Sequence, residues 1–328
     1  MFTGSGTLYL ILSIAELVIG ILGNAFIGVV NCLEWVKNRK ISLADCINTC
    51  LAVSRFCYLL VALFDSYIIA LFLHSYGLHK LSISVTRLWS VTNYVTTWFA
   101  TSLSVLYFLK IARFSHPLFL WLKWRMNRVV IGLLVFSLFI LTYDFLLLET
   151  LTDVLVYVYE IDKSNLTLCS DESKIPDVKK LILHGLNHLI PFVLTLASLL
   201  LLFLSLVRHT RNLELGSIGS GDASTKAHRK AMKMVLSFLF LFIIHLLSMQ
   251  VSTWLYLASQ KSKLIGFFTL ALYIFPSGHP FILILGNSKL QQTASRVLWH
   301  LKCHLKRFQE HKSHFSWFIA ILNMFLLC

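Results

Sequence analysis

Trp89, Asn93, Thr96 and Ala100 recur at i, i+4, i+7 and i+11, the spacing that sets side chains on one face of a helix. An indole plate beside an amide that both donates and accepts is suited to holding a small molecule reversibly. It supplies neither a nucleophile nor a proton carrier. The same face would also serve for packing, with Asn93 bonded to a neighbouring helix, and from spacing alone packing is the commoner use. Tyr94 and Trp98 flank the face, while His245 and Tyr273 fall at the same depth on later segments. No nucleophile elbow, phosphate loop, HExxH or close carboxylate pair accompanies these residues, so nothing supports an enzyme, a cofactor or a metal. The seven cysteines, at 32, 46, 50, 57, 169, 303 and 328, form no CxxC and no metal-ligand spacing.

Other polar residues interrupt apolar stretches, where they are costly unless paired. Arg55 must find carbonyls, Asn24 or a water-filled gap, and a structural knot between the first, second and seventh spans is the simplest reading. The same knot used as a switch is the alternative. Pro276 and Pro280 flank His279 in FPSGHPFILILGN. Two prolines free carbonyls and kink a helix, which suits either a static bend or a moving one. Tyr107, Lys110, Phe114 and His116, with His209 and the stretch from His228 to Lys233, gather cations and aromatics. That set reads as a collar of snorkelling side chains or as a docking face for a cytosolic protein.

These residues need long helices to position them. The chain has 328 residues, 57% hydrophobic and only 13% charged, against about a quarter charged in soluble domains. Mean hydropathy is +0.75. Continuous apolar runs recur, each able to cross about 30 Å of hydrocarbon, so the fold class expected is an all-α membrane protein rather than a barrel. Seven spans are predicted, near 7–30, 42–72, 82–111, 128–148, 180–206, 231–257 and 264–285. Between them lie a basic loop at 112–127, a long acidic loop at about 149–177 and a polar loop at 208–230. A basic tail from 288 ends in an apolar stretch, 314–328, too short to span. It reads as a tail on the membrane surface, with lipidation of Cys303 or Cys328 as the other reading.

The net charge of +14 lies in the loops after spans 1, 3 and 5 and in the tail, which is a topology signal rather than a nucleic-acid footprint. It places the N-terminus outside and the C-terminus in the cytoplasm. The sequon Asn165-Leu166-Thr167 then falls outside, where glycosylation of Asn165 is possible. That agreement is an independent check on parity.

The chain resembles the bitter taste receptors, the type 2 taste receptor family of G-protein-coupled receptors. The likeness runs from about residue 7 to 305 and rests on GNAFI in span 1, CLAVSR in span 2, WFATSLSVLYFLKIA and FLWLKWR around span 3, LSLVRHTRNL, AHRKAMKMVLSFL, and FPSGHPFILILGNSKL in span 7. The DRY, CWxP and NPxxY signatures of rhodopsin-like receptors are missing. The resemblance implies a seven-helix receptor at the plasma membrane with an outer-half pocket for a bitter small molecule. It puts Trp89 and Asn93 on the pocket wall with His245 and Thr269, where Thr96 joins them by spacing and Tyr273 by depth. Asn24, Arg55, His279 and Pro280 would form the structural or switching interior. Tyr107, Lys110, His209 and His228 would border a gustducin-type heterotrimeric G protein. Membrane lipid is a further partner, and pairing with a second receptor stays open. Thr269 carries no charge, so an ionic clamp on a cationic agonist is not implied, and His279-Pro280 departs from the family's commoner His-Ser. A vomeronasal type 1 receptor is opposed by FLWLKWR and SGHPFIL. A solute transporter is opposed by the lack of an internal repeat.

Overall fold

The computed structural model describes residues 4–39, 42–71, 79–143, 146, 175–216, 223–257 and 263–309. All the regular elements among them are helices: α1 (Gly4–Asn38), α2 (Leu43–Leu71), α3 (His79–Ile111), α4 (Pro117–Trp124), α5 (Met126–Tyr143), α6 (Ile175–Gly216), α7 (Ala223–Leu257), α8 (Lys263–Gly286) and α9 (Ser288–Gln309). Asn165, the acidic loop up to 174 and the apolar end 314–328 lie outside the described residues.

Five segments are long and apolar enough to cross a membrane unaided: Ile11–Lys37, Leu43–Ser66, Met126–Tyr143, Leu189–Arg208 and Met232–Ser252. Leu270–Gly286 joins them when taken with Ser288–His304 across a bend of 101°. The third predicted span, α3, is too polar to qualify, for a structural reason. Asn93, Thr96, Thr97, Thr101, Ser102 and Ser104 are all buried by protein, so their polarity never meets lipid. Several of the hydroxyls bond back one turn, Thr97 to the Asn93 carbonyl, Thr101 to Thr97 and Ser104 to Ala100, each at 2.9 Å.

The helices close into a ring in which α1 packs on α2, α2 on α3, α3 on α6, α6 on α7, α7 on α8 and α8 back on α1. α5 sits outside that ring against α3. The Tyr94 hydroxyl donates to the Ser137 carbonyl at 2.8 Å, and Trp98 meets Phe136 edge-on at 6.3 Å. The other faces of α5 present Ile131, Val135, Leu138 and Phe139 outward, as a lipid-facing helix must. Association between helices already in hydrocarbon gains little from water exclusion, and close packing with interhelical hydrogen bonds holds it instead. Gly20 of α1 shows how close the packing is. A Cβ there would stand 2.8 Å from Leu59 Cδ1 of α2 and 2.8 Å from the Cα of Ser277 of α8, so three helices meet where only a hydrogen fits.

The loops differ from their sequence reading. The basic stretch 112–127 contains α4, begun by Pro117 at the first helical position and by the His116 side chain, whose Nδ1 accepts from the Leu118 N–H at 3.3 Å. The polar stretch 208–230 is mostly helix, since α6 runs on to Gly216 and α7 starts at Ala223. Such helix ends project beyond the apolar run and carry no apolar periodicity to announce them. α6 also begins at Ile175, inside the stretch read as loop. α1 closes at Arg39, whose φ of 50° is the left-handed capping conformation and whose N–H reaches the Trp35 carbonyl at 2.9 Å. Asn287 turns α8 into α9: its N–H continues the ladder to Leu283 at 3.0 Å, and its side-chain oxygen accepts from the Lys289 N–H at 3.1 Å. Lys289 in turn pairs with Glu34 of α1.

Candidate functional site

Two prolines one turn apart organise the bundle interior. Proline has no N–H, so each leaves the carbonyl four residues earlier without its intrahelical donor. Pro280 frees the Pro276 carbonyl, and Pro276 frees that of Leu272. Both freed carbonyls are taken up by side chains from other helices. Asn24 Nδ2 of α1 donates to Pro276 at 2.9 Å and to Gly20 of its own helix at 2.8 Å. His245 Nδ1 of α7 lies 2.8 Å from the Leu272 carbonyl. A carbonyl only accepts, so Nδ1 carries the proton there. His245, expected on the pocket wall, therefore first ties α7 to α8.

This bonding pattern predicts a double-mutant result. Asn24→Ala leaves the Pro276 carbonyl buried and unpaired, at a cost of about 1–3 kcal/mol. Pro280→Ala restores a backbone N–H to that carbonyl. Asn24→Ala made in the Pro280→Ala background is expected to lower the thermal midpoint of the purified receptor much less than in the unaltered chain. Equal losses in both backgrounds would separate the asparagine from the proline.

Arg55 of α2 lies below this pair, 1% exposed. Its Nη1 is 2.5 Å from His279 Nδ1 of α8, and its guanidinium stands 4.5 Å from the Phe275 ring centroid. Arginine can only donate, so His279 presents Nδ1 as acceptor. The partner is thus the histidine between the prolines and not Asn24, which is already committed to Pro276. Phe238 of α7 closes the other side of the imidazole, edge-on at 4.6 Å. Arg55 thus joins α2 to α8 with Phe238 of α7 against the imidazole, while Asn24 joins α1 to the same stretch of α8.

Toward the opposite end from the cations, Trp89 meets Tyr58 of α2 at 5.8 Å, and Tyr58 meets Tyr273 of α8 at 5.8 Å. Leu17, Leu59, Ala62, Met249 and Leu272 complete this cluster. Asn93, 1% exposed, donates from Nδ2 to Met249 Sδ at 3.3 Å, and a thioether is a weak acceptor. Its Oδ1, Thr96 Oγ1, the Tyr58 hydroxyl and Ser252 Oγ, one turn past Met249, are buried without a hydrogen-bond partner. Buried polar groups are nearly always paired, so a run of exceptions asks for an explanation. Tyr58 and Met249 were not anticipated from sequence. The only signal for Tyr58 was an aromatic three residues after Arg55 on the same helix.

At the basic end the Tyr107 hydroxyl accepts from Asn48 Nδ2 at 3.4 Å, and Lys110 is exposed. The Arg113 N–H donates to Ser205 Oγ of α6 at 2.9 Å, and Lys123 Nζ to the Ala112 carbonyl at 2.8 Å. His209, His228 and Thr269 lie on α6, α7 and α8, with their side chains outside the described set. No group of His, Cys, Asp and Glu among the described residues could hold a metal.

A ring of membrane helices tied together by polar side chains in its interior, with cations gathered at one end, fits a seven-helix receptor. A profile described as Taste receptor protein (TAS2R) matches residues 1–302. The chain belongs to that family; it is a bitter taste receptor coupled to a G protein, not an enzyme. It is 56% identical to "Taste receptor type 2 member 42" of Papio hamadryas over 310 residues, covering 94% of this chain and 98% of that protein. Against the Homo sapiens protein of the same name it is 56% identical over 309 residues, 93% of this chain and 98% of the relative. Against "Taste receptor type 2 member 7" of Macaca mulatta it is 44% identical over 313 residues, again 93% and 98%.

Proposed function

We propose that the Trp89–Asn93–Thr96 face, with Tyr58 and Tyr273, is the wall of the agonist pocket. The carrying observation is that Asn93 Oδ1 and Thr96 Oγ1 are buried, unpaired and on one helix face with the indole. A neutral bitter compound with an apolar ring and one or two hydrogen-bonding groups would stack on Trp89 and meet Asn93. Thr269 is placed on α8 one turn before Tyr273 and would extend the wall, while His245 supports it from beneath.

In this reading the basic end faces the cytoplasm of the plasma membrane and the N-terminus is extracellular, as Lys and Arg distribution requires. Asn165 is then on the glycosylated side. Agonist affinity that differs between two arrangements of the bundle shifts the population toward one of them. Any movement of α7 against α8 must exchange the donor on the Leu272 carbonyl, so the proline region is the natural relay. Tyr107, Lys110, His209 and His228 would border the cleft that admits a gustducin-type G protein.

The test is calcium release from cells expressing the receptor with a promiscuous Gα subunit, challenged with a panel of bitter compounds. Responses absent from mock-transfected cells are expected for at least one compound. A receptor that reaches the surface but answers none of a broad panel would count against the reading.

A further inference from the structure

We propose that the corner between α4 and α5 is a binding site for the phosphorylated headgroup of an inositol lipid. A cavity of about 410 Å³ lies there, lined by Lys123, Trp124, Arg125, Met126, Asn127 and Arg128. Its size is in the range of small-molecule pockets, larger than one phosphate needs. Three of its six lining residues are cations.

Among the described side chains, the charge there has no counterpart on the helices that carry it. From residue 66 to 143 the chain contains no Asp or Glu, so nothing on α3, α4 or α5 can neutralise these groups. The described acids near the basic end are engaged elsewhere: Glu34 with Lys289, and Asp45 with the Ser42 hydroxyl at 2.6 Å. Two of the three cations are also held in place. Arg125 lies over Trp121 at 5.2 Å and Trp124 at 5.8 Å. Stacking occupies the face of a guanidinium and leaves its in-plane N–H donors for oxygen acceptors, the fork that suits phosphate. Lys123 is fixed by its bond to Ala112.

The surroundings favour a lipid over an acidic protein. Trp124 is 82% exposed, with Trp121, Leu118 and Leu120 exposed beside it, and tryptophans with basic residues at a helix end mark the headgroup level of a bilayer. Basic pockets at that level bind polyphosphorylated headgroups. A phosphatidylserine headgroup, with a single net charge, would leave most of the cations unanswered. The site depends on the proposed orientation only for which leaflet supplies the lipid, so a symmetric bilayer tests it separately from the agonist pocket.

The experiment uses full-length receptor in phosphatidylcholine nanodiscs containing fluorescent phosphatidylinositol bisphosphate, read by energy transfer from the receptor tryptophans. Wild type is expected to bind that lipid and not phosphatidylserine, and soluble inositol trisphosphate, unlike inorganic phosphate at equal concentration, is expected to displace it. The Arg125→Gln/Arg128→Gln double variant is expected to bind about thirtyfold more weakly, the effect of removing two cations near a membrane surface. Arg211→Gln, a cation at the same end but outside the cavity, should change nothing. The proposal fails if the double variant binds like wild type, or if phosphatidylserine binds equally well. It also fails if soluble inositol trisphosphate does not displace the lipid from the unaltered receptor, or if the double variant weakens G-protein binding alone.

Discussion

Asn93→Ala is expected to remove the response to agonist while the receptor still reaches the cell surface. Among the described residues its only side-chain hydrogen bond is the one to Met249 sulfur, so folding loses little when it goes. An agonist would lose a buried partner that no water can replace, worth about 1–3 kcal/mol. That raises the half-maximal concentration roughly tenfold to a hundredfold, which takes many agonists out of their soluble range. Trp89→Ala should act in the same direction through lost stacking. Surface labelling and dose–response curves on the same cells separate the two effects. An unchanged curve for Asn93→Ala would sink the pocket assignment.

Arg55→Ala is expected to fail earlier, at the level of the fold. The substitution empties a fully buried site, strips His279 of its donor and removes the cation over Phe275. Emptying a large buried site costs about 2–5 kcal/mol, and the buried imidazole left without its donor adds about 1–3 kcal/mol, together comparable with the whole stability of many domains. Surface expression should fall to background, and the purified protein should show a lower thermal midpoint. Arg55→Lys should rescue only partly, because an ammonium cannot both reach the imidazole and lie flat on the ring. With His279→Ala, the two losses should be far from additive, since both remove the same bond. Normal expression of Arg55→Ala would show that the knot carries no stability.

The spans were legible because a helix in lipid must be apolar for about twenty residues, and that run needs no tertiary information. Arg55, Asn24 and the Pro276–His279–Pro280 group were legible as an interior for the same reason, since polarity inside a span must be satisfied by something. What satisfies it was not. Asn24 and Pro276 are 252 residues apart, and only the folded bundle shows which donor meets which freed carbonyl. The sequence therefore left Asn24 open as a partner for Arg55, and it set His245 on the pocket wall at the depth where it supports α8. α4 was missed because eight residues with aromatics and cations carry too little periodicity to stand out from a basic loop. The Trp89–Asn93 face sat between packing and pocket on spacing alone. The unpaired Oδ1 and Oγ1 on which the proposed pocket rests are properties of the neighbours, not of the helix.

The polarity of α3 bears on how the receptor is made. Insertion at the translocon judges each segment by its own hydrophobicity, and α3 would be judged poorly, since its threonines, serines and Asn93 count against it before any partner exists. α2 is synthesised earlier and can receive one side of it. α6, whose Thr195 hydroxyl lies 2.9 Å from that of Thr101, emerges only after another hundred residues or so of synthesis. Until then α3 depends on α2, α5 and whatever shields nascent chains in the membrane. Biogenesis, more than the stability of the finished bundle, is therefore the step at which added polarity on α3 would be punished, and the yield of receptor from a foreign host should track how well that host protects an unfinished third helix.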